Sequence, residues 1–139
     1  MSDAAKSYWL LIVEDDPNHV MLMEAVFSGC DGHVHISVTR SAEEAMSYLQ
    51  GSWPDADYGR AKMPDVIVLD IGMPGIGGCG FLEWYNRQPR FAKIPVVVFT
   101  SQSAADVAER CFSLGANEFK EKSGDFSELM PVVHKVLGR

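Results

Sequence analysis

At 139 residues, with 47% apolar and 22% charged side chains, the sequence has the make-up of one folded domain rather than a disordered or fibrous chain. A net charge of -7 with 12 scattered basic residues excludes a clustered cationic surface for nucleic acid. The longest apolar runs, Val66 to Leu69 and Ile94 to Phe99, fall far short of the ~20 residues that cross a bilayer.

The first strand is expected over Trp9 to Val13, and Pro17 at a first-turn position opens a helix from Asn18 to Phe27 that stops at Gly29. A second strand, Val34 to Thr39, leads to Ser41, which with Glu44 forms a capping box for a helix to Leu49. Gln50 to Pro64 carries Gly51, Pro54, Gly59 and Pro64, breaks both periodicities and reads as a long loop. The third strand, Asp65 to Asp70, is followed by a glycine-rich turn from Gly72 to Gly78 and a helix from Phe81 to Asn86. A fourth strand, Pro95 to Thr100, precedes a helix with Ser103 and Asp106 as its capping box, ending at Leu114 and Gly115. A short fifth strand, Glu118 to Lys120, and a helix from Phe126 to Leu137 complete the chain. The alternation predicts an α/β fold with five parallel strands and helices on both faces, and the unbroken β-branched central runs suit strands buried on both sides. Only Gly138 and Arg139 follow the last helix, so 1–139 reads as a single domain without an effector domain, whose output comes from binding.

In an open parallel sheet ligands sit beyond the carboxyl ends of the strands. Those ends carry Glu14, Asp15 and Asp16 after the first strand, Asp70 after the third, Thr100 and Ser101 after the fourth, and Lys122 after the fifth. Carboxylates gathered in one pocket repel unless a cation joins them, and oxygen ligands suit a hard ion, so Mg²⁺ is the expected cofactor. Mg²⁺ commonly leaves part of its shell to water and a phosphate oxygen. Lys122 supplies a point charge for phosphoryl oxygens and Thr100 a hydroxyl donor. Asp70, ending the most buried-looking strand, is the candidate covalent acceptor of a phosphoryl group.

The sets Leu11-Ile12-Val13-Glu14-Asp15-Asp16, Val68-Leu69-Asp70 with Met73-Pro74-Gly75, Val97-Val98-Phe99-Thr100-Ser101, and Gly115-Ala116-Asn117-Glu118-Phe119 with Lys122 together resemble the signature of response-regulator receiver domains over nearly the whole chain. The resemblance implies a flavodoxin-like (βα)5 fold of strand order 2-1-3-4-5. It implies that Asp15 ligates the metal directly, that Glu14 holds a metal-bound water or ligates beside it, and that the Gly72 carbonyl completes the protein's share. Asp70 is then the phosphorylated residue, Lys122 contacts Asp70 or its phosphate, Thr100 moves to the phosphoryl group, and Phe119 is the aromatic switch. The implied function is that of a single-domain response regulator of a two-component phosphorelay, phosphorylated by a sensor histidine kinase, altering the binding of an unknown downstream protein, and not a metabolic enzyme.

Three departures stand out. Gly77 replaces the Asp that usually precedes the third helix, Ser123 replaces the Pro after Lys122 and leaves the usual cis peptide without its proline, and Gly72 and Gln102 occupy the positions that tune phosphate lifetime. The run Glu14 to Asn18, the long loop and the Lys122-Ser123 pair resemble in particular the small receivers that partner bacterial phytochromes. Some of those are homodimers, and the exposed face of the last two helices is the place to look.

Other features have plainer readings. Asp16 suits a helix cap, and His19, His33, His35 and His134 show no metal spacing and suit surface or cap roles. Val20, Met21 and Met23 suit the core, with any exposed part available to a kinase helix. Trp53 and Tyr58 suit a lid or a dimer contact. Cys30, Cys79 and Cys111, odd in number and widely spaced, suit buried thiols in a reducing cytoplasm, and the polar start followed by Glu14 leaves no signal-peptide core. An aspartate-nucleophile phosphatase is the alternative, but it needs an acid where Gly72 stands. A flavodoxin-like electron carrier needs a hydroxyl-rich phosphate loop where the first carboxylates stand.

Overall fold

A computed structural model describes residues 7–28, 34–51, 63–102 and 105–139. In chain order these form β1 (Tyr8–Val13), α1 (Pro17–Ser28), β2 (Val34–Thr39), α2 (Ala42–Leu49), β3 (Val66–Leu69), α3 (Gly77–Asn86), β4 (Val96–Thr100), α4 (Ala105–Ser113), β5 (Glu118–Glu121) and α5 (Leu129–Val136). Short 3₁₀ turns at Pro89–Phe91 and Phe126–Glu128 precede β4 and α5. The five strands run parallel in the order β2-β1-β3-β4-β5.

Side-chain alternation divides the core into two layers. Leu11, Val13, Ile67, Leu69, Val96 and Val98 pack on one face with Phe81, Leu82 and Cys111 from α3 and α4. Leu10, Ile12, Val66, Val68, Val97 and Phe99 pack on the other with Val20, Met23 and Phe27 of α1 and Leu129 and Val133 of α5. Both faces of the central strands are therefore apolar, which is why their sequence is continuous rather than alternating.

Most helix signals act as expected, with adjustments. Ser41 Oγ accepts from the Glu44 N–H at 3.0 Å, while the Glu44 carboxylate accepts from the Arg40 N–H at 2.8 Å, one residue before the usual box partner. The last helix is split: Asp125 caps a 3₁₀ turn by accepting from the Ser127 N–H at 3.0 Å, and Pro131 falls in the first α turn, where its missing N–H is no loss. The third helix begins at Gly77, four residues before the apolar stretch that marks it in sequence, because Gly77 and Gly78 pack against the chain leaving β3. No cis peptide bond occurs among the described residues. Ser103 of the second capping box, Gly29, Cys30, His33, Trp53, Tyr58 and most of the Gln50 to Pro64 loop lie outside the described residues. Cys111 is buried and Cys79 half-buried, and burial, helped by the Cys79 thiol nearby, pushes the Cys111 thiol up to about 11.

Gly78 sets the distance between α3 and the acceptor strand. A Cβ there would overlap the Ile71 Cα and come within 2.8 Å of the Asp70 carbonyl oxygen. Gly78→Ala should therefore lower unfolding free energy by about 1–3 kcal/mol through overpacking. A Cβ on Gly72 meets nothing nearer than 3.5 Å, so Gly72→Ala should stay within about 0.5 kcal/mol of wild type. Urea unfolding of the two variants checks this, and equal midpoints would contradict it.

Candidate functional site

Hydrogen bonds that continue the ladders past the strand ends align the chemistry. The Glu14 N–H donates to the Thr39 carbonyl at 3.0 Å, the Asp70 N–H to the Val13 carbonyl at 3.0 Å, and the Lys122 N–H to the Thr100 carbonyl at 2.7 Å. The first residues beyond β1 and β3 are thereby fixed side by side, with Lys122 held against the end of β4. Glu14, Asp15 and Asp70 each offer an oxygen within 4.8 Å of the others, a spacing at which three carboxylates could hold one metal ion. Asp15 is exposed, whereas Glu14 is 1% and Asp70 9% exposed.

Lys122 reaches into this cluster from the loop after β5. Its side chain is 4% exposed, and its Nζ donates to Glu14 Oε1 at 2.6 Å while standing 3.7 Å from Asp70 Oδ2. The same Nζ lies 2.8 Å from His19 Nδ1. The second Glu14 oxygen accepts from the Asp16 N–H at 3.3 Å. Asp70 Oδ1 accepts from the Gly72 N–H at 3.2 Å, a short turn that orients the carboxylate. Thr100 is buried, its hydroxyl accepting from the Gln102 N–H at 3.3 Å. The open face of Asp70 is bordered by Gly72, whose missing side chain leaves room beneath the Gln102 amide. Phe119 is half-buried against the layer formed by α2, α3 and α4.

The electrostatics follow from the crowding. Burial, aided by the Asp70 charge and opposed by the Lys122 ammonium, pushes the Glu14 carboxyl up to about 7. One ammonium serves two buried carboxylates, with Asp15 a third acid at the rim. That donor set, all oxygen and with negative charge in excess, suits a divalent hard cation bound through Glu14, Asp15 and Asp70.

The expected site residues thus converge. Glu14, Asp15, Asp70 and Lys122 gather at one sheet edge, and Thr100 and the Gly72 backbone border it. Asp16 is a cap, accepting from the Asn18 N–H at 2.9 Å. His19 is not merely a surface group: it touches Lys122, a role its spacing could not reveal, although its position one turn beyond the acidic triplet on α1 was a usable hint. His134 is half-buried, bonded through Nε2 to the Tyr8 hydroxyl at 3.1 Å, with burial first and Arg139 second pushing its pKa down. His35 stacks on Trp9 at 4.5 Å.

Between its ordinary value of 4.5 and about 7, Glu14 binds a proton in the folded protein more readily than in the unfolded chain. The folded state is therefore favoured at the acid end of that window, and this contribution is lost as pH rises through about 7. In chelator, wild type should lose roughly 1–3 kcal/mol more than Glu14→Gln between the two ends, read by urea unfolding. Identical slopes in the two proteins would contradict the burial of a strained acid.

The sequence matches the family model "Response regulator receiver domain" over residues 10–134. The probable methanogenesis regulatory protein FilR2 of Methanothrix harundinacea is 28% identical, over 96% of this chain and 84% of that protein. Response regulator Rcp1 of Synechocystis is 26% identical, over 91% and 84%. Other curated relatives are longer, and the chain spans 52% of response regulator Rre1 of the same organism. Among solved structures, the phosphorylated cyanobacterial phytochrome response regulator RcpA aligns with a TM-score of 0.79 and 26% identity, over 94% of this chain and 91% of that one. The bacteriophytochrome response regulator AtBRR aligns with a TM-score of 0.77 and 27% identity, over 96% and 94%. The Mn²⁺-bound form of Rcp1 aligns with a TM-score of 0.77 and 25% identity, over 93% and 91%.

Proposed function

This chain belongs to the response regulator receiver family, and we propose that it accepts a phosphoryl group on Asp70 from a sensor histidine kinase and thereby switches a binding surface. The observation that carries the reading is the placement of Glu14, Asp15 and Asp70 within 4.8 Å of one another with the buried Lys122 ammonium among them. The similar structures RcpA and AtBRR are a cyanobacterial phytochrome response regulator and a bacteriophytochrome response regulator, which supports a phytochrome-type kinase as donor.

An Asp70 carboxylate oxygen attacks the phosphorus of the kinase phosphohistidine, the P–N bond breaks, and the imidazole leaves with its electron pair and takes up a proton. Glu14, Asp15, Asp70 and the Gly72 carbonyl would hold a Mg²⁺, which would supply charge neutralisation for the incoming oxygens. The Lys122 ammonium turns from the carboxylates to a phosphoryl oxygen. The Thr100 hydroxyl exchanges the Gln102 N–H for the same group, leaving space that half-buried Phe119 can occupy. Those two changes lie on neighbouring strands and alter the face of β4 and β5 toward α4.

On α1, Met21 and Leu22 are 66% and 49% exposed, an apolar ridge beside the site for a helix of the kinase. The phosphatase alternative is disfavoured, since Gly72 offers no side chain to protonate a leaving group. Release of phosphate from the adduct is the domain's own reaction rather than turnover of a metabolite.

Incubation with Mg²⁺ and a small acyl phosphate should give wild type the mass of one added phosphoryl group, stable in acid and labile in base, mapped by peptide analysis to Asp70. Asp70→Asn should take up none, and Thr100→Ala should be phosphorylated yet fail to change partner binding. An adduct elsewhere, or none on wild type, defeats the reading.

A further inference from the structure

The mechanism leaves one polar group beside the acceptor unused. His19 sits on the first turns of α1 with its side chain 31% exposed, and its Nδ1 lies 2.8 Å from Lys122 Nζ. An ammonium has three N–H donors and no lone pair, so Nδ1 is the acceptor and the ring proton sits on Nε2. That Nε2 faces the Asp16 carboxylate at 3.6 Å, which favours the same tautomer. The ring also packs against Phe126 at a centroid distance of 5.5 Å, so its orientation is held from two sides.

Lys122 is almost wholly enclosed, so protein acceptors rather than bulk water must satisfy its protons. Three acceptors surround it: Glu14 at 2.6 Å, His19 at 2.8 Å and Asp70 at 3.7 Å. Only Asp70 lies beyond hydrogen-bond range. The ammonium is thus hydrogen-bonded to Glu14 and His19 while standing 3.7 Å from the acceptor carboxylate, and one of those two partners is a ring nitrogen contributed by a different element from the acids.

We propose that His19 is a positioning residue: its Nδ1 holds the Lys122 ammonium on the Glu14 side of the site, off Asp70, and competes with a phosphoryl group for that ammonium. The seating rests on geometry alone, and its consequence for phosphoryl uptake rests on the acceptor reading above. A histidine that withholds the lysine makes the unphosphorylated form the easier one to keep. Removing the acceptor nitrogen lets Lys122 relax toward Asp70 and meet incoming phosphoryl oxygens without competition.

Two substitutions separate the acceptor from the ring. His19→Phe keeps the planar shape and the packing on Phe126 but has no acceptor, while His19→Asn places a carbonyl oxygen where Nδ1 stands. With Mg²⁺ and a small acyl phosphate, His19→Phe should take up phosphoryl groups about fivefold faster than wild type or more, and His19→Asn should return to within about twofold, the scale of one hydrogen bond to a charged group. In ¹⁵N-lysine-labelled protein, the Lys122 Nζ resonance, assigned by its loss in Lys122→Arg, should move in His19→Phe and return in His19→Asn. Uptake by His19→Phe that is unchanged or slowed overturns the proposal, whatever the resonance does. If wild type takes up no phosphoryl group, the acceptor reading has failed instead, and the resonance alone decides the seating: moved supports it, unmoved overturns it.

Discussion

Three carboxylates within 4.8 Å of each other at the end of a parallel sheet are the constraint from which the rest of this structure follows. Hydrophobic packing has no use for them, and two are nearly shut off from water. The sheet register imposes the crowding: Val13 pairs with Leu69, so the next residue of each strand, Glu14 and Asp70, must stand side by side. One buried ammonium from Lys122 offsets part of the charge, while burial, with the Asp70 charge adding to it, raises the Glu14 carboxyl. Such an edge, with negative charge in excess and all-oxygen donors, suits a divalent hard cation.

The two apolar layers make this strain tolerable. Ile67, Leu69, Val96 and Val98 anchor β3 and β4 to α3 and α4, while Leu10, Ile12, Val68 and Phe99 anchor the opposite face to α1 and α5. Residues at the strand ends therefore cannot drift apart to relieve repulsion. Thr100 ends β4 and pairs with Glu121 of β5, while Phe119 of β5 pairs with Val98 of β4, so Thr100 and Phe119 lie on neighbouring strands two residues apart in register.

Much of this was legible in the sequence because it rests on short-range rules. The β-branched runs, Ser41 with Glu44, and the acids ending the first and third strands mark strands, a cap and a ligand edge without knowledge of the fold. The family model and the similar phytochrome response regulators agree with the resemblance drawn from the same residues. What was not legible depends on tertiary distance. The start of α3 at Gly77 is set by how closely Gly78 approaches Ile71, a contact with no periodic signature. The Glu44 carboxylate chooses the Arg40 N–H because of the local path of the chain, not because of its spacing from Ser41. His19 and Lys122 are 103 residues apart, so their hydrogen bond leaves no pattern that a reading along the chain could detect.

The most direct test of the electrostatic account is a calorimetric titration of the metal-free protein with Mg²⁺ above pH 7, where Glu14 is ionised. The account predicts binding of one ion per chain, abolished by Asp15→Asn and weakened as the pH falls and a proton takes the cation's place on Glu14. Mg²⁺ binding that is absent in wild type, or that survives unchanged in Asp15→Asn, would contradict it.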